Sequence, residues 1–541
     1  MRAISSLVLI ILFHTMIAGP FLCTSNRALA SEARAEGFVA SPDHLQLQIN
    51  SMSLEQKIGQ LLIFGMNEVA PTDKLEDWYR KRLPGAVVLF SRNMKSTRQV
   101  IALNQHLQRL SQKYTGTPLF IAIDQEGGTV SRVKTNPPLP SALALGSTNN
   151  PLLTQFIGHN TGRLLSALGF NFNLAPVADV ADPESESFLG TRVFSKDPMT
   201  VGKMSSSFSH GLQMAGVLST LKHFPGHGNE AADPHHKTPV SMASLDELLS
   251  HRLKPFEYSI KNNHPAAIMI AHMALPRVDS TAKLATFSKV LISDVLRKRL
   301  KYKGLIMTDD IDMAAIQLGG KVEDYIIQSL QAGTDLVMVA WNQKTQKKAV
   351  AAIKAALQSG GLTIDEINKK VHRILLTKTR LKSDFRNEAN RIHDIKAVLN
   401  TKSFKSSIKK VTQINLNHQL DRQPASSLES PIFVLSRYNS FYDKLSQRRP
   451  GCCRRLAFER QQILQHYLER QPGALALIHV SGDATAKWLA KIPSKLRQRV
   501  IVVNTSSPSL VRSTDSYQKV INLYSWYPQI GSMLAEKLIP W

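Results

Sequence analysis

The chain has 541 residues, of which 43% are hydrophobic and 20% charged. That is ordinary for a globular protein, too apolar for a disordered one, and long enough for two or more domains with cores of their own. The formal net charge of +26 is not ordinary; it favours anionic partners such as nucleic acid, membrane headgroups or acidic polymers, and it is uneven, with 21 Lys/Arg against 8 Asp/Glu in residues 401–541.

The first elements are a targeting segment. Arg2 supplies a positive start, Leu7 to Phe21 is mostly apolar, and Ala28-Leu29-Ala30 has the small-x-small form of a cleavage site. The apolar run falls short of the roughly 20 residues a membrane span needs. Residues 1–30 are therefore expected to be a signal peptide. The mature protein is expected to be exported, periplasmic or extracellular, without a transmembrane span. Cys23 brings a lipid anchor to mind, but Leu22 before it is a poor small-residue match. Cys452 and Cys453 are neighbours in sequence, which makes a strained bridge at best. No disulfide framework is expected.

Ser53-Leu54-Glu55-Gln56 is a capping box that opens a helix. Short apolar runs then recur at 61–65, 85–90, 119–124, 170–179, 217–225, 266–271, 304–309 and 335–340. Most gaps hold an amphipathic helix, as at 95–114, 152–167, 245–262 and 288–300. Eight buried strands alternating with helices predict an α/β fold, a (β/α)₈ TIM-type barrel over residues 31–383. A last helix is predicted over 365–381, with Ile367, Val371, Ile374 and Leu375 on one face. Polar sequence around Asn387, Asn390 and 402–410 reads as a link. Strands at 431–435, 474–480, 499–504 and 520–524, with helices at 456–468 and 484–489, predict a smaller C-terminal α/β domain within 384–541.

In such a barrel the chemistry sits where strands end. The third run closes on Asp124-Gln125-Glu126-Gly127-Gly128 and the fourth reaches Asp179. The fifth closes on Lys222-His223, the sixth near His272, the seventh on Asp309-Asp310. After the fifth comes KHFPGHGNEAADPHHK, residues 222–237, with four histidines, one Asp and one Glu. Its composition admits three readings: a metal site, a proton relay, or a turn crowded with polar side chains. His223, His227, His235 and Asp233 would be the metal ligands, but their spacing is not a strong zinc pattern.

Four segments carry a resemblance. IAIDQEGGTVSRV (121–133), GTRVFSKDP (190–198), KHFPGHG (222–228) with Asp-x-His at 233–235, and GLIMTDDIDM (304–313) resemble glycoside hydrolase family 3, in its β-N-acetylhexosaminidase branch. The resemblance implies a retaining β-N-acetylglucosaminidase. Asp309 would be the nucleophile that forms a covalent glycosyl-enzyme. His235, oriented by Asp233, would be the proton donor, a task for which imidazole suits because it titrates near operating pH. Asp124, Arg132, Arg192, Lys222 and His223 would bind the sugar. The family needs no metal and no cofactor, so the loop is expected to be a relay, with His227 bracing it. Two departures stand out: Thr129 where an arginine is common, and Pro234 inside the Asp-x-His pair.

The expected substrates are oligosaccharides that contain N-acetylglucosamine, from peptidoglycan fragments or chitin. The basic C-terminal domain would meet an anionic cell-wall polymer. A phosphorolytic N-acetylglucosaminidase and a non-catalytic wall-binding protein are the alternatives. Nucleic acid is not expected, since no recognised module for it is present.

Overall fold

The computed structural model describes residues 42–182, 188–229, 238–313, 319–381, 387–421, 431–448, 453–456, 461–471, 473–511 and 516–538. The predicted signal peptide, Cys23, Cys452 and the Asp233–His235 pair lie outside the described residues. Among the described residues no helix is long and apolar enough to cross a membrane.

Eight parallel strands close into a barrel: β1 Leu62–Gly65, β2 Ala86–Leu89, β3 Phe120–Ile123, β4 Phe172–Asn173, β5 Leu218–Phe224, β6 Ala267–Ile270, β7 Leu305–Asp310 and β8 Leu336–Val339. Each pairs with its neighbour in sequence, and β8 returns to β1. All eight predicted runs became strands, because helices cover the outside and side chains fill the inside, so both faces demand apolar residues. Every residue of β1, β2, β3, β6 and β8 is buried. The fourth run is the exception in length. Only Phe172 and Asn173 join the ladder, followed by one bridge from Val177 to Lys222. Pro176 lies between and has no N–H to donate.

The helix Ile364–Lys378 buries Ile367, Val371, Ile374 and Leu375, the face read from the sequence. At the N-terminal end of the barrel Asp335 pairs with Arg297 and Arg373 and accepts the N–H of Ile306, which ties two helices to the start of β7.

The polar stretch after residue 386 is not an irregular link. It forms two helices, Glu388–Asn400 and Lys402–Asp421. They bury Ile395, Val398, Phe404, Ile408 and Val411 in the same core as the barrel. That stripe is a helical face, but lysine and serine on the other positions mask it in the sequence. Beyond lies a five-stranded parallel sheet: β9 Ile432–Leu435, β10 Cys453–Leu456, β11 Leu475–Val480, β12 Val500–Asn504 and β13 Lys519–Asn522, in the order β10-β9-β11-β12-β13. The sequence showed no sign of β10. It is an edge strand with Arg454 and Arg455 exposed, and edge strands carry charge where central ones cannot. The sheet meets the barrel through Ser141, whose Oγ donates to Tyr524 O at 2.8 Å and whose N–H donates to Ser525 Oγ at 3.3 Å.

Gly65 ends β1 against β8. A Cβ there would lie 1.9 Å from the carbonyl oxygen of Ala340, so even one methyl group must displace backbone. Gly65→Ala is expected to cost about 2 kcal/mol or more, read as a lowered urea midpoint. Activity should fall with it, because the Ala340 N–H is bonded to Asp310.

Candidate active site

The C-terminal rim of the barrel gathers the polar residues. Asp124 follows β3 directly. A hairpin then pairs Gln125–Gly127 with Val130–Ser131. Gly127 and Gly128 turn it at φ 99° and 57°, a region that suits glycine. This turn holds Glu126 in the buried interior. Arg192 arrives on the short turn Gly190–Arg192, between β4 and β5. Lys222 stands near the end of β5.

These four make one charge cluster, with Glu126 and Lys222 buried and Asp124 and Arg192 half-buried. Lys222 Nζ lies 2.9 Å from Asp124 Oδ1 and 2.8 Å from Glu126 Oε1. Arg192 donates twice to Glu126, from Nε and Nη2, each at 2.9 Å. Arg132 Nη2 is 3.7 Å from Asp124 Oδ2. Burial alone would drive Glu126 towards its neutral form, but the charges of Arg192 and Lys222 outweigh it and hold the carboxyl well below the usual range. Burial alone would likewise lower Lys222. Asp124 and Glu126 reverse that and keep it a cation.

Asp179 is fully buried behind this cluster. One oxygen accepts the backbone N–H of His223 at 3.1 Å and faces its Nδ1 at 2.8 Å. The other accepts the backbone N–H of His227 at 2.7 Å and faces its Nδ1 at 3.2 Å. Burial opposes ionisation of Asp179, but these two histidines hold its carboxyl well below the usual range. Burial lowers the His223 pKa, so at neutral pH the ring is neutral and its Nδ1–H donates to the Asp179 carboxylate. His223 Nε2 carries no protein hydrogen bond among the described residues. Asp179, His223 and His227 are also close enough to supply three ligands to a metal. The carboxylate, however, already takes four N–H groups, an arrangement that braces a loop rather than awaits a cation.

Asp309 and Asp310 end β7 and behave oppositely, as neighbours in a strand should. Burial would raise the Asp309 pKa, but His223, His272, the Asp310 N–H and Lys222 together lower it. Its Oδ1 accepts only the N–H of Asp310, at 2.8 Å. Asp310 is buried, and its Oδ1 accepts from Ala340 N at 3.1 Å and Asp312 N at 3.3 Å. Burial, with Asp312 and Asp309 nearby, pushes its pKa up to about 8. His272 is locked between Thr286 Oγ1 at 2.7 Å and Asp310 O at 3.0 Å.

The structure thus brings Asp124, Arg132, Arg192, Lys222, His223 and Asp309 to one rim, while Asp233 and His235 lie outside the described residues. Arg192, expected to reach a sugar, spends two of its donors on Glu126. Glu126, Asp179 and His272 were visible as strand-end residues but had no role assigned. Their signal was position alone, because a buried partner cannot be told from a ligand contact without the fold.

A barrel of this topology carries its chemistry at the C-terminal ends of its strands, where this charge cluster lies. Residues 53–377 match the glycosyl hydrolase family 3 N-terminal domain. The chain belongs to that family and is a glycoside hydrolase. It is 32% identical over 319 residues to Beta-hexosaminidase A of Pseudoalteromonas piscicida, a match that covers 55% of this chain and only 53% of that protein. It is 33% identical over 296 residues to Beta-hexosaminidase of Idiomarina loihiensis, covering 54% and 85%. Among solved structures, a family 3 β-N-acetylglucosaminidase from Paenibacillus sp. shares the fold at a TM-score of 0.77 and 24% identity, covering 90% of this chain and 97% of that one. β-N-acetylhexosaminidase from Beutenbergia cavernae matches at a TM-score of 0.56 and 30% identity, covering 61% and 99%. The first likeness extends over most of this chain, the second over about three fifths of it.

Replacing Glu126 by Gln leaves Lys222 and Arg192 buried with one carboxylate fewer. Glu126→Gln should lose about 3–5 kcal/mol in chemical denaturation, with activity reduced in the same variant.

Asp310 gives a pH test. An unfolded carboxyl titrates near about 3.9 and the folded one at about 8, so between these values the native state holds one extra proton. Wild-type stability therefore falls as pH rises through this window. Asp310→Asn keeps an acceptor for the Ala340 N–H and removes the proton. Its stability relative to wild type is expected to climb from about pH 5 to about pH 8. A difference that stays flat in urea midpoints across that range would contradict a protonated Asp310.

Proposed function

We propose that the protein is a retaining exo-β-N-acetylglucosaminidase that removes terminal N-acetyl-β-hexosaminides from peptidoglycan fragments or chitin-type oligosaccharides. The observation that carries this reading is the state of Asp309. Among the described rim carboxylates, Asp124 and Glu126 are paired with cations, Asp179 takes four N–H groups, and Asp310 and Asp312 bond the backbone after β8. Asp310 Oδ2 also lacks a partner among the described residues, but burial raises the pKa of that carboxyl; Asp309 combines an oxygen that no described protein group engages with surroundings that lower its pKa and keep it ionised. An ionised, uncommitted carboxylate on a rigid strand end is what a nucleophile requires.

In this reading Asp309 Oδ2 attacks the anomeric carbon while His235, held by Asp233, protonates the departing oxygen. A glycosyl ester on Asp309 results. The same imidazole then takes a proton from water, which attacks and restores the carboxylate with net retention. Asp124, Arg132, Lys222 and His223 bind sugar hydroxyls: the carboxylate accepts, the cations donate, and His223 offers Nε2. Asp310, protonated near neutrality, is not the acid of the reaction, because its carboxyl faces the β8 backbone. The relatives named beta-hexosaminidase support the N-acetylhexosamine preference.

Export through a signal peptide at residues 1–30 fits these substrates, which lie outside the cytoplasm. The basic C-terminal domain, with Arg454 and Arg455 exposed on its edge strand, is read as the surface that meets an anionic wall polymer.

The test is trapping. A fluorosugar glycoside with a good leaving group should label the protein stoichiometrically, and mass spectrometry should place the label on Asp309. Asp309→Asn should neither label nor hydrolyse, with kcat lowered by on the order of a thousandfold or more. A label on any other residue removes Asp309 from the role.

A further inference from the structure

The charged arc of the rim runs through the ends of β3, β4, β5 and β7. The remaining arc, where β8, β1 and β2 are neighbours, has different chemistry. Phe90 follows β2, and Trp341 stands two residues beyond β8. Trp341 is 56% exposed, a high value for the largest apolar side chain beside a buried polar pocket.

The indole is held from one side. Its ring lies 4.8 Å from the Phe90 ring, with 28° between planes. The Arg92 guanidinium sits 4.2 Å from the Trp341 ring centre and 4.6 Å from that of Phe90. Three nearly equal separations make a compact triangle. Had Arg92 and Phe90 stood on opposite faces of the indole, their separation would approach the sum of the other two. Both therefore back the same side, and more than half of the side chain remains accessible to solvent. Arg92 is itself fixed by bonds to Met66 O at 3.2 Å and Ala340 O at 3.3 Å.

The platform is also tied to the end of β7. Ala340 N–H bonds Asp310, and Asn342 N–H bonds Asp312 Oδ2 at 3.2 Å. Trp341 lies between these two anchors, so its position relative to Asp309 is set.

We propose that Trp341 is the stacking platform for the sugar ring on the leaving-group side of the scissile bond, and a specificity-determining residue for oligosaccharides over simple glycosides. The proposal rests on the exo-acting hexosaminidase reading above. The charged arc supplies donors and acceptors for the hydroxyls of one terminal sugar. A further ring would extend past those groups towards the rest of the rim, where the exposed indole could receive it. A pyranose presents C–H groups on its face, and an aromatic face is their natural complement.

The test compares two substrates that differ only in whether the leaving group has a ring: the β-1,4-linked disaccharide of N-acetylglucosamine, and N-acetylglucosaminyl fluoride. Trp341→Ala is expected to lower kcat/KM for the disaccharide about tenfold, chiefly through KM, while the fluoride changes by less than about twofold. Trp341→Phe should recover part of the loss. An equal loss on both substrates, or an unchanged disaccharide, overturns the proposal while leaving the hexosaminidase reading intact. A wild-type protein that turns over neither substrate overturns that reading and the proposal with it.

Discussion

One buried cation organises this site. Lys222 is enclosed by protein, and an ammonium in that position is tolerable only with counter-charge at contact distance. Asp124 and Glu126 provide it, and Glu126 in turn needs Arg192. The consequence reaches into the backbone: the Gly127-Gly128 turn that folds Glu126 inward and the short turn that delivers Arg192 both serve the same balance. Residues from two separate loops and the end of β5 are thereby fixed to one another. Electrostatics thus orders this part of the rim.

Two adjacent aspartates illustrate how neighbourhood sets chemistry. Asp309 and Asp310 share a strand end and differ by one alternation of side-chain direction. One faces histidines and Lys222 and stays ionised; the other faces the β8 backbone, with Asp312 nearby, and keeps its proton. Desolvation acts on both, so the difference comes from the partners. A similar contrast separates Asp179 from Asp309. Asp179 gives all its acceptor capacity to two histidines and their backbone, and so holds the base of the loop that follows β5. Asp309 keeps an oxygen in reserve.

The C-terminal region is joined to the barrel as part of one core. The two helices after residue 386 bury apolar residues against barrel helices, and the five-stranded sheet contacts the loop after β3 through Ser141. This attachment sets the basic sheet beside the loop after β3, at the barrel rim. It also explains why the fold likeness to a two-domain relative extends over most of the chain.

Periodicity and composition alone determined the barrel, because a parallel strand buried on both faces must be a continuous apolar run and eight such runs leave little choice of architecture. The strand-end positions of Asp124, Lys222, His223 and Asp309 were legible for the same reason, since side chains at the end of a buried strand must face the rim. What a sequence cannot carry is partnership between distant loops. That Arg192 meets Glu126, that Asp179 braces histidines, and that Asp310 keeps its proton depend on distances set by closure of the barrel. The strand at Cys453–Leu456 and the helices at 388–421 were hidden too, because exposed arginines, lysines and serines outnumber the residues that pack. The tertiary structure alone decided these points, for burial and charge are properties of what surrounds a residue in space.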